Sequence, residues 1–149
     1  MAAPTKTTVS LREGYQTTIR TRHHVYHADE PADQGGTDSA VTPSEMVMGA
    51  LGSCIAITIK MYAERKQWPL EGVDVRLDYE RFAAKDYPAY EGSEQFVHEI
   101  REAIVLHGPL DAEQRERLLE IAEKCPVSRL IALPSFYKRE LLDALPELE

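Results

Sequence analysis

The sequence predicts a mixed α/β (α+β) fold, and three observations carry the prediction. Two β-rich segments separated by Gly14 open the chain, a long and nearly all-apolar helix follows a proline-containing cap, and two strand-like segments then lead into a second capped helix. The 149 residues suit a single domain spanning residues 1–149.

Residues 5–11 and 15–27 are rich in Thr, Val, Ile and Tyr, which predicts an N-terminal hairpin. In the second strand Arg20, Arg22, His24 and Tyr26 should share one face, because side chains alternate along a strand. Residues 29–40 hold Pro31, Gly35, Gly36 and several Asp and Ser side chains, and read as a loop. Thr42 is then an N-cap, Pro43 the first helical position, and Glu45 the third residue of a capping box. The helix should run over residues 43–66, roughly 36 Å at 1.5 Å per residue. Being apolar nearly all round until Lys60, it must be covered by protein on most sides. Its small residues Gly49, Ala50, Gly52, Ser53 and Ala56 suit the close approach of another backbone, for which a second copy of the helix is one candidate.

Trp68-Pro69 ends that helix, and residues 73–82 alternate as a strand does. Phe96–His107 reads as a second strand, with Ile100, Ala103 and Val105 fitting the sheet. After Gly108-Pro109, Asp111 and Gln114 form another capping box, opening a helix over residues 112–124 with Leu118, Leu119, Ile121 and Ala122 on its inner face. Cys125 falls at its end and Pro126 stops it. An apolar run over 130–133 and a final amphipathic turn or helix over 138–145 complete the chain.

The formal net charge of −8 argues against a nucleic-acid surface and against anionic membranes, both of which need clustered positive charge. The polar start lacks the apolar core of a signal peptide, and the longest apolar stretch, residues 46–59, is short for a bilayer. The expectation is a cytoplasmic protein with no membrane partner. His23 and His27 would lie about 13 Å apart on one strand face at roughly 3.3 Å per residue, too far to share a metal ion. No phosphate loop, dinucleotide fingerprint or nucleophile elbow is present.

Chemistry therefore centres on two cysteines, Cys54 and Cys125. They read either as small buried hydrophobes or as a transient catalytic disulfide. Peroxide reduction needs a thiolate, a cation that holds its pKa down, and a second thiol to resolve the sulfenic acid. Arg20 and Arg22 are the candidate cations. Glu45, nine residues before Cys54, lies roughly 180° around the helix from it at 100° per residue. Its carboxylate either serves the cap alone, or assists the thiol through an intervening arginine or across a dimer interface.

The segment over residues 42–75 (TPSEMVMGALGSCIAITIKMYAERKQWPLEGVDV) resembles the core motif of the OsmC-like family, which includes the organic hydroperoxide resistance proteins. HADEPADQGG over 27–36 and GPLDAEQRERLLEIAEKCPVSRL over 108–130 match further blocks in the same order, so the likeness covers roughly residues 5–133. The resemblance implies an intertwined homodimer whose long central helices are wrapped by antiparallel β-sheets, with two active sites at the dimer interface. It implies a thiol-dependent peroxidase acting on organic hydroperoxides, with hydrogen peroxide as a further substrate. Cys54 matches the peroxidatic position and Cys125 the resolving one; Glu45 and an N-terminal arginine, Arg20 or Arg22, would complete the site. A dithiol reductant of the lipoyl or another type is implied, and no metal or organic cofactor. The alternative is a non-catalytic dimer of the same fold that binds a small hydrophobic ligand, with Met46, Met48 and Met61 lining the pocket, or that senses redox state.

Overall fold

The computed structural model describes residues 5–147, which form five strands, three α-helices and two short 3-10 turns. They fall into two compact units: one runs up to Val47 and resumes at Ser135, and the other is Met48–Pro134.

The first unit is built on an antiparallel sheet of β1 (Thr8–Leu11), β2 (Thr17–Thr21) and β3 (His24–Ala28), in that order. The segment expected as one strand over 15–27 is two. Thr21 pairs with His24, which leaves Arg22 and His23 as a two-residue turn with Arg22 at φ 54°. A positive φ at the first turn residue matches the twist of a two-residue hairpin, although such turns usually place glycine or asparagine there. Arg20 of β2 stands opposite Val25 of β3 and Arg22 sits in the turn, so the expected row of arginines on one strand face does not exist.

After β3 the chain is tied down by Asp29. Its buried carboxylate accepts from the Glu30 amide at 2.8 Å, the Thr37 hydroxyl at 2.5 Å and amide at 3.1 Å, and the Ser39 hydroxyl at 2.8 Å and amide at 3.2 Å. The Thr37 hydroxyl and these further donors outweigh the cost of burial and hold the carboxyl well below the usual carboxylate range. The loop delivers the chain to α1 (Pro43–Arg65). The capping box forms as read: the Thr42 amide donates to Glu45 Oε2 at 2.8 Å, and the Glu45 amide to Thr42 Oγ1 at 3.2 Å. The expected helix over 138–145 is absent, and Leu141 is 99% exposed. A segment this short lacks the intrinsic helicity to order without a packing surface.

In the second unit α1 lies against the hairpin of β4 (Gly72–Ala83) and β5 (Phe96–His107), which pair from Gly72 with His107 to Ala83 with Phe96. α2 (Ala112–Ala122) and α3 (Pro126–Ala132) follow. Leu51, Ile55, Ile59 and Ala63 are spaced four apart along α1 and bury one seam, joined in the core by Leu70, Leu110, Leu118, Ala122 and Cys125. Each fully buried Leu or Ile is worth roughly 1.5–3 kcal/mol. Val73, Val75 and Leu77 of β4 pack on this core with Ile100, Ile104 and Leu106 of β5. The inward phase of β5 is therefore not that of Ala103 and Val105, and Val105 is exposed. Leu119, expected inside α2, is also exposed, since only Leu118, Ile121 and Ala122 are buried there.

α1 ends where Gln67 turns left-handed at φ 57°, and the Trp68 amide closes onto the Ala63 carbonyl at 2.9 Å. With 23 residues and a mean hydropathy of 1.5 over its most apolar window, it is long and apolar enough to cross a membrane, which the 14-residue run over 46–59 had not suggested. The core helix of a globular unit meets the same description, and the seam of α1 packed on β4, β5 and α2 gives it that place. Gly108 at φ 117° joins β5 to α2; a Cβ there would stand 2.1 Å from the Pro69 carbonyl oxygen. Arg115 secures the same corner, donating to the carbonyls of Leu106 and Gly108, both at 2.9 Å, and of Leu110 at 3.2 Å.

Candidate active site

Cys54 sits in the middle of α1, one residue before the buried Ile55, and its side chain is half-buried. Cys125 is fully buried. It does not close α2, which ends at Ala122; it is the N-cap of α3, and its Sγ accepts the Ser128 amide at 3.4 Å. Pro126 thus opens a helix as well as ending the previous turn, because the first helical position needs no amide donor.

Cys54 packs against the core cluster that holds Cys125, and the two thiols act on each other, Cys125 favouring the ionised form of Cys54. The Val127 amide and the hydroxyl of Thr58, one helical turn further along α1, also favour the Cys54 thiolate. Burial pushes the Cys54 thiol up, but the bonds from Cys125, Val127 and Thr58 together outweigh it and hold the thiol below its ordinary value. Cys125 moves the other way. Burial raises it, the bond it donates to Cys54 raises it further, and so does the charge on Cys54, while the Ser128 and Val127 amides offset only part. Cys54 is therefore the more readily ionised of the two thiols and Cys125 the less, which separates nucleophile from partner within a dithiol.

Of the five residues singled out in the sequence, these two are brought together. Glu45, Arg20 and Arg22 belong to the other compact unit, and the Glu45 carboxylate accepts the Thr42 amide in its cap. Thr58 and Val127 were not anticipated. Thr58 carries a legible signal, since a hydroxyl four residues after a helical cysteine shares its face. Val127 acts through its backbone amide, so its residue type carries none. Among the described residues no group of three or more His, Cys, Asp or Glu side chains converges as a metal site.

Residues 36–136 match the family described as OsmC-like protein. No curated protein matches the chain significantly. Among solved structures, the chain is similar to the OsmC like protein from Mycoplasma pneumoniae, with a TM-score of 0.70 at 16% identity over 88% of this chain and 89% of that one. It is also similar to an organic hydroperoxide resistance protein OsmC from Legionella pneumophila, with a TM-score of 0.64 at 19% identity over 89% and 91%. The Organic Hydroperoxide Resistance Protein OhrB of Bacillus subtilis aligns with a TM-score of 0.59 at 16% identity over 87% and 91%. At these identities the structural likeness speaks for the α+β fold with antiparallel sheets. The family match extends over more than half of the sequence and takes in both cysteines, so the chain belongs to the family of OsmC-like proteins.

Proposed function

We propose that the protein is a thiol-dependent peroxidase that reduces organic hydroperoxides, and hydrogen peroxide as a further substrate. The observation that carries this reading is the packing of Cys54 against the core that holds Cys125, with the Cys54 thiol shifted down and the Cys125 thiol up. The Cys54 thiolate attacks the distal oxygen of the hydroperoxide. The O–O bond breaks, the alkoxide leaves and takes a proton to become the alcohol, and Cys54 becomes a sulfenic acid. Cys125 then attacks the Cys54 sulfur, hydroxide leaves and is protonated to water, and a disulfide closes. A dithiol reductant, lipoyl-type or other, returns both sulfurs to thiols and is itself oxidised to a disulfide. The members described as organic hydroperoxide resistance proteins support the substrate class.

In this reading the working form is a homodimer in a reducing cytoplasm. The outer side of α1 supports the dimer. Val47, Ile57 and Met61 are exposed on a single chain, and Met48, Gly49, Gly52, Ser53 and Ala56 line a groove of about 410 Å³ with Val75 and Leu77. Leu77 explains Gly52, because a Cβ there would lie 3.3 Å from it, whereas Gly49 has nothing within 4 Å and is free to take a second backbone. Arg20 or Arg22 would supply a cation to Cys54, and Glu45 would orient that arginine.

Steady-state consumption of an alkyl hydroperoxide with a dithiol reductant tests the proposal. Cys54→Ser is expected to abolish it. Cys125→Ser is expected to give one equivalent of alcohol and stop at a sulfenic acid that a dimedone-type probe captures. Full turnover by Cys54→Ser would end the proposal.

A further inference from the structure

Two contacts tie α1 to the α2–α3 segment, and they are in register. Cys54 on α1 packs against the core cluster that holds Cys125. Eight residues along α1 from Cys54 lies Tyr62, and eight residues back along the chain from Cys125 lies Arg117, which meet each other. The Arg117 Nε–H donates to the Tyr62 hydroxyl at 3.2 Å, and the same guanidinium stands 5.6 Å from the centroid of the Tyr62 ring. Nη1 of Arg117 holds the carboxylate of Glu120, one turn on along α2. The tyrosine ring also meets Trp68, edge-on at 5.6 Å and 70°. Both partners thus have their orientation fixed by a third group.

Between the two contacts the packing is apolar. Ile55 and Ile59 of α1 are buried in one cluster with Leu118 and Ala122 of α2. Close-packed aliphatic side chains set how near two helices come, but the attraction is non-directional and tolerates repacking. A charged, planar donor on a phenol is directional, and it resists both sliding and rotation of one helix on the other. A disulfide needs a narrow range of Cα separation and one dihedral family, so a small slide of α2 moves Cys125 out of reach of Cys54.

We propose that Tyr62 and Arg117 are a positioning pair for the dithiol: their contact sets how far α2 stands along α1, and so fixes Cys125 against Cys54. The pair touches neither sulfur and supplies no chemistry. Its meaning for turnover rests on the peroxidase reading, but its effect on the two thiols does not, and the test is chosen accordingly.

The full-length protein is equilibrated in glutathione redox buffers, where each closure oxidises Cys54 and Cys125 to a disulfide and reduces one oxidised glutathione to two reduced ones. The disulfide fraction is read from the mass added by alkylating the remaining thiols. Tyr62→Phe keeps the ring and loses the hydroxyl, and should weaken closure by about fivefold, the factor set by one modest hydrogen bond acting on a strict geometry. Arg117→Met should do the same, and Arg117→Lys should recover part of the loss. Ile59→Val is the control: it trims the apolar seam without touching the directional contact, and should leave the closure constant unmoved. A closure constant in Tyr62→Phe equal to that of the parent protein overturns the proposal, as does an equal loss in Ile59→Val. A parent protein that forms no disulfide at any glutathione ratio overturns it together with the peroxidase reading. If the parent closes the disulfide and the variants weaken it, yet no hydroperoxide is consumed, the positioning pair stands and the peroxidase reading falls.

Discussion

Thr58→Val isolates one of the three donors on Cys54. Valine keeps the volume and the β-branch, so α1 and its packing are preserved, and only the hydroxyl that favours the Cys54 thiolate is lost. A single hydrogen bond is worth about 1 kcal/mol net; an acceptor with anionic character raises that figure and partial exposure to water lowers it again. Losing about 1 kcal/mol of thiolate stabilisation cuts the thiolate fraction at neutral pH by about fivefold. The remaining thiolate is more basic and so intrinsically more nucleophilic, gaining about twofold at a Brønsted slope near 0.45. The two effects oppose each other with different pH dependence. Near neutral pH the variant should be alkylated about 2.5-fold more slowly at Cys54, because the smaller thiolate fraction dominates. Well above the ordinary thiol range both proteins are fully ionised, and the variant should react about twofold faster. The assay is the rate of alkylation at the Cys54 peptide, followed by mass spectrometry from acid to alkaline pH. Superimposable profiles for the two proteins, or a variant slower at every pH, would refute the role given to Thr58.

Other substitutions test the frame around the site. Asp29 is held in its ionised form in the folded state, so its contribution to stability is present above the ordinary carboxylate value near 3.9 and is lost as pH falls below it. Asp29→Asn should lower the melting temperature at pH 7, and the gap to the parent protein should narrow as pH falls below about 4; a gap constant across that range would sink the argument. Ile59→Ala removes a fully buried side chain from the seam of α1 and should cost about 2–5 kcal/mol in denaturant titrations, and a cost under about 1 kcal/mol would show that the seam is not packed as described. Glu45→Gln keeps an acceptor for the Thr42 amide, so helix stability should hold in thermal melts. A large loss of peroxide turnover with an unchanged melting temperature in that variant would assign the carboxylate to catalysis rather than to the cap.

Much of this could be read where chain chemistry is local. The caps of α1 and α2 announce themselves as Thr42, Pro43 and Glu45, and as Asp111 and Gln114, and both boxes form with the expected partners. Phe96–His107 is a strand over the residues expected, although the face it buries is the one carrying Ile104 rather than Val105. Both faces of that strand carry apolar residues, and the packing partner, which decides between them, is not local information. The turn at Arg22 and His23 was illegible for the converse reason: it carries no glycine, asparagine or proline, and only the pairing of Thr21 with His24 reveals it. At the site, the two cysteines could be paired from their place in a family pattern. The Val127 amide has no letter in the sequence, and Tyr62 and Arg117 are 55 residues apart, so nothing short of a fold brings them together.

The opposite shifts of the two thiols carry a consequence for the order of events. Three causes hold Cys125 protonated: burial, the hydrogen bond it donates to Cys54, and the negative charge on Cys54. In the proposed reaction the first oxidation turns the Cys54 thiolate into a neutral sulfenic acid. The charge then vanishes and the sulfur becomes a far weaker acceptor, so two of the three causes disappear together. The Ser128 and Val127 amides remain and still favour the Cys125 thiolate. Cys125 is thus kept from competing for peroxide while Cys54 is reduced, and becomes more acidic once a sulfenic acid is there to be attacked. Rapid-mixing measurements can separate the steps, with a sulfenic acid probe following its loss after one equivalent of hydroperoxide. The rate of disulfide closure should rise with pH and level off at a lower pH than the one at which Cys125 ionises in the reduced protein. Closure that tracks the reduced-state ionisation of Cys125 would mean that the charge on Cys54 never governed its partner, and that burial alone keeps Cys125 protonated.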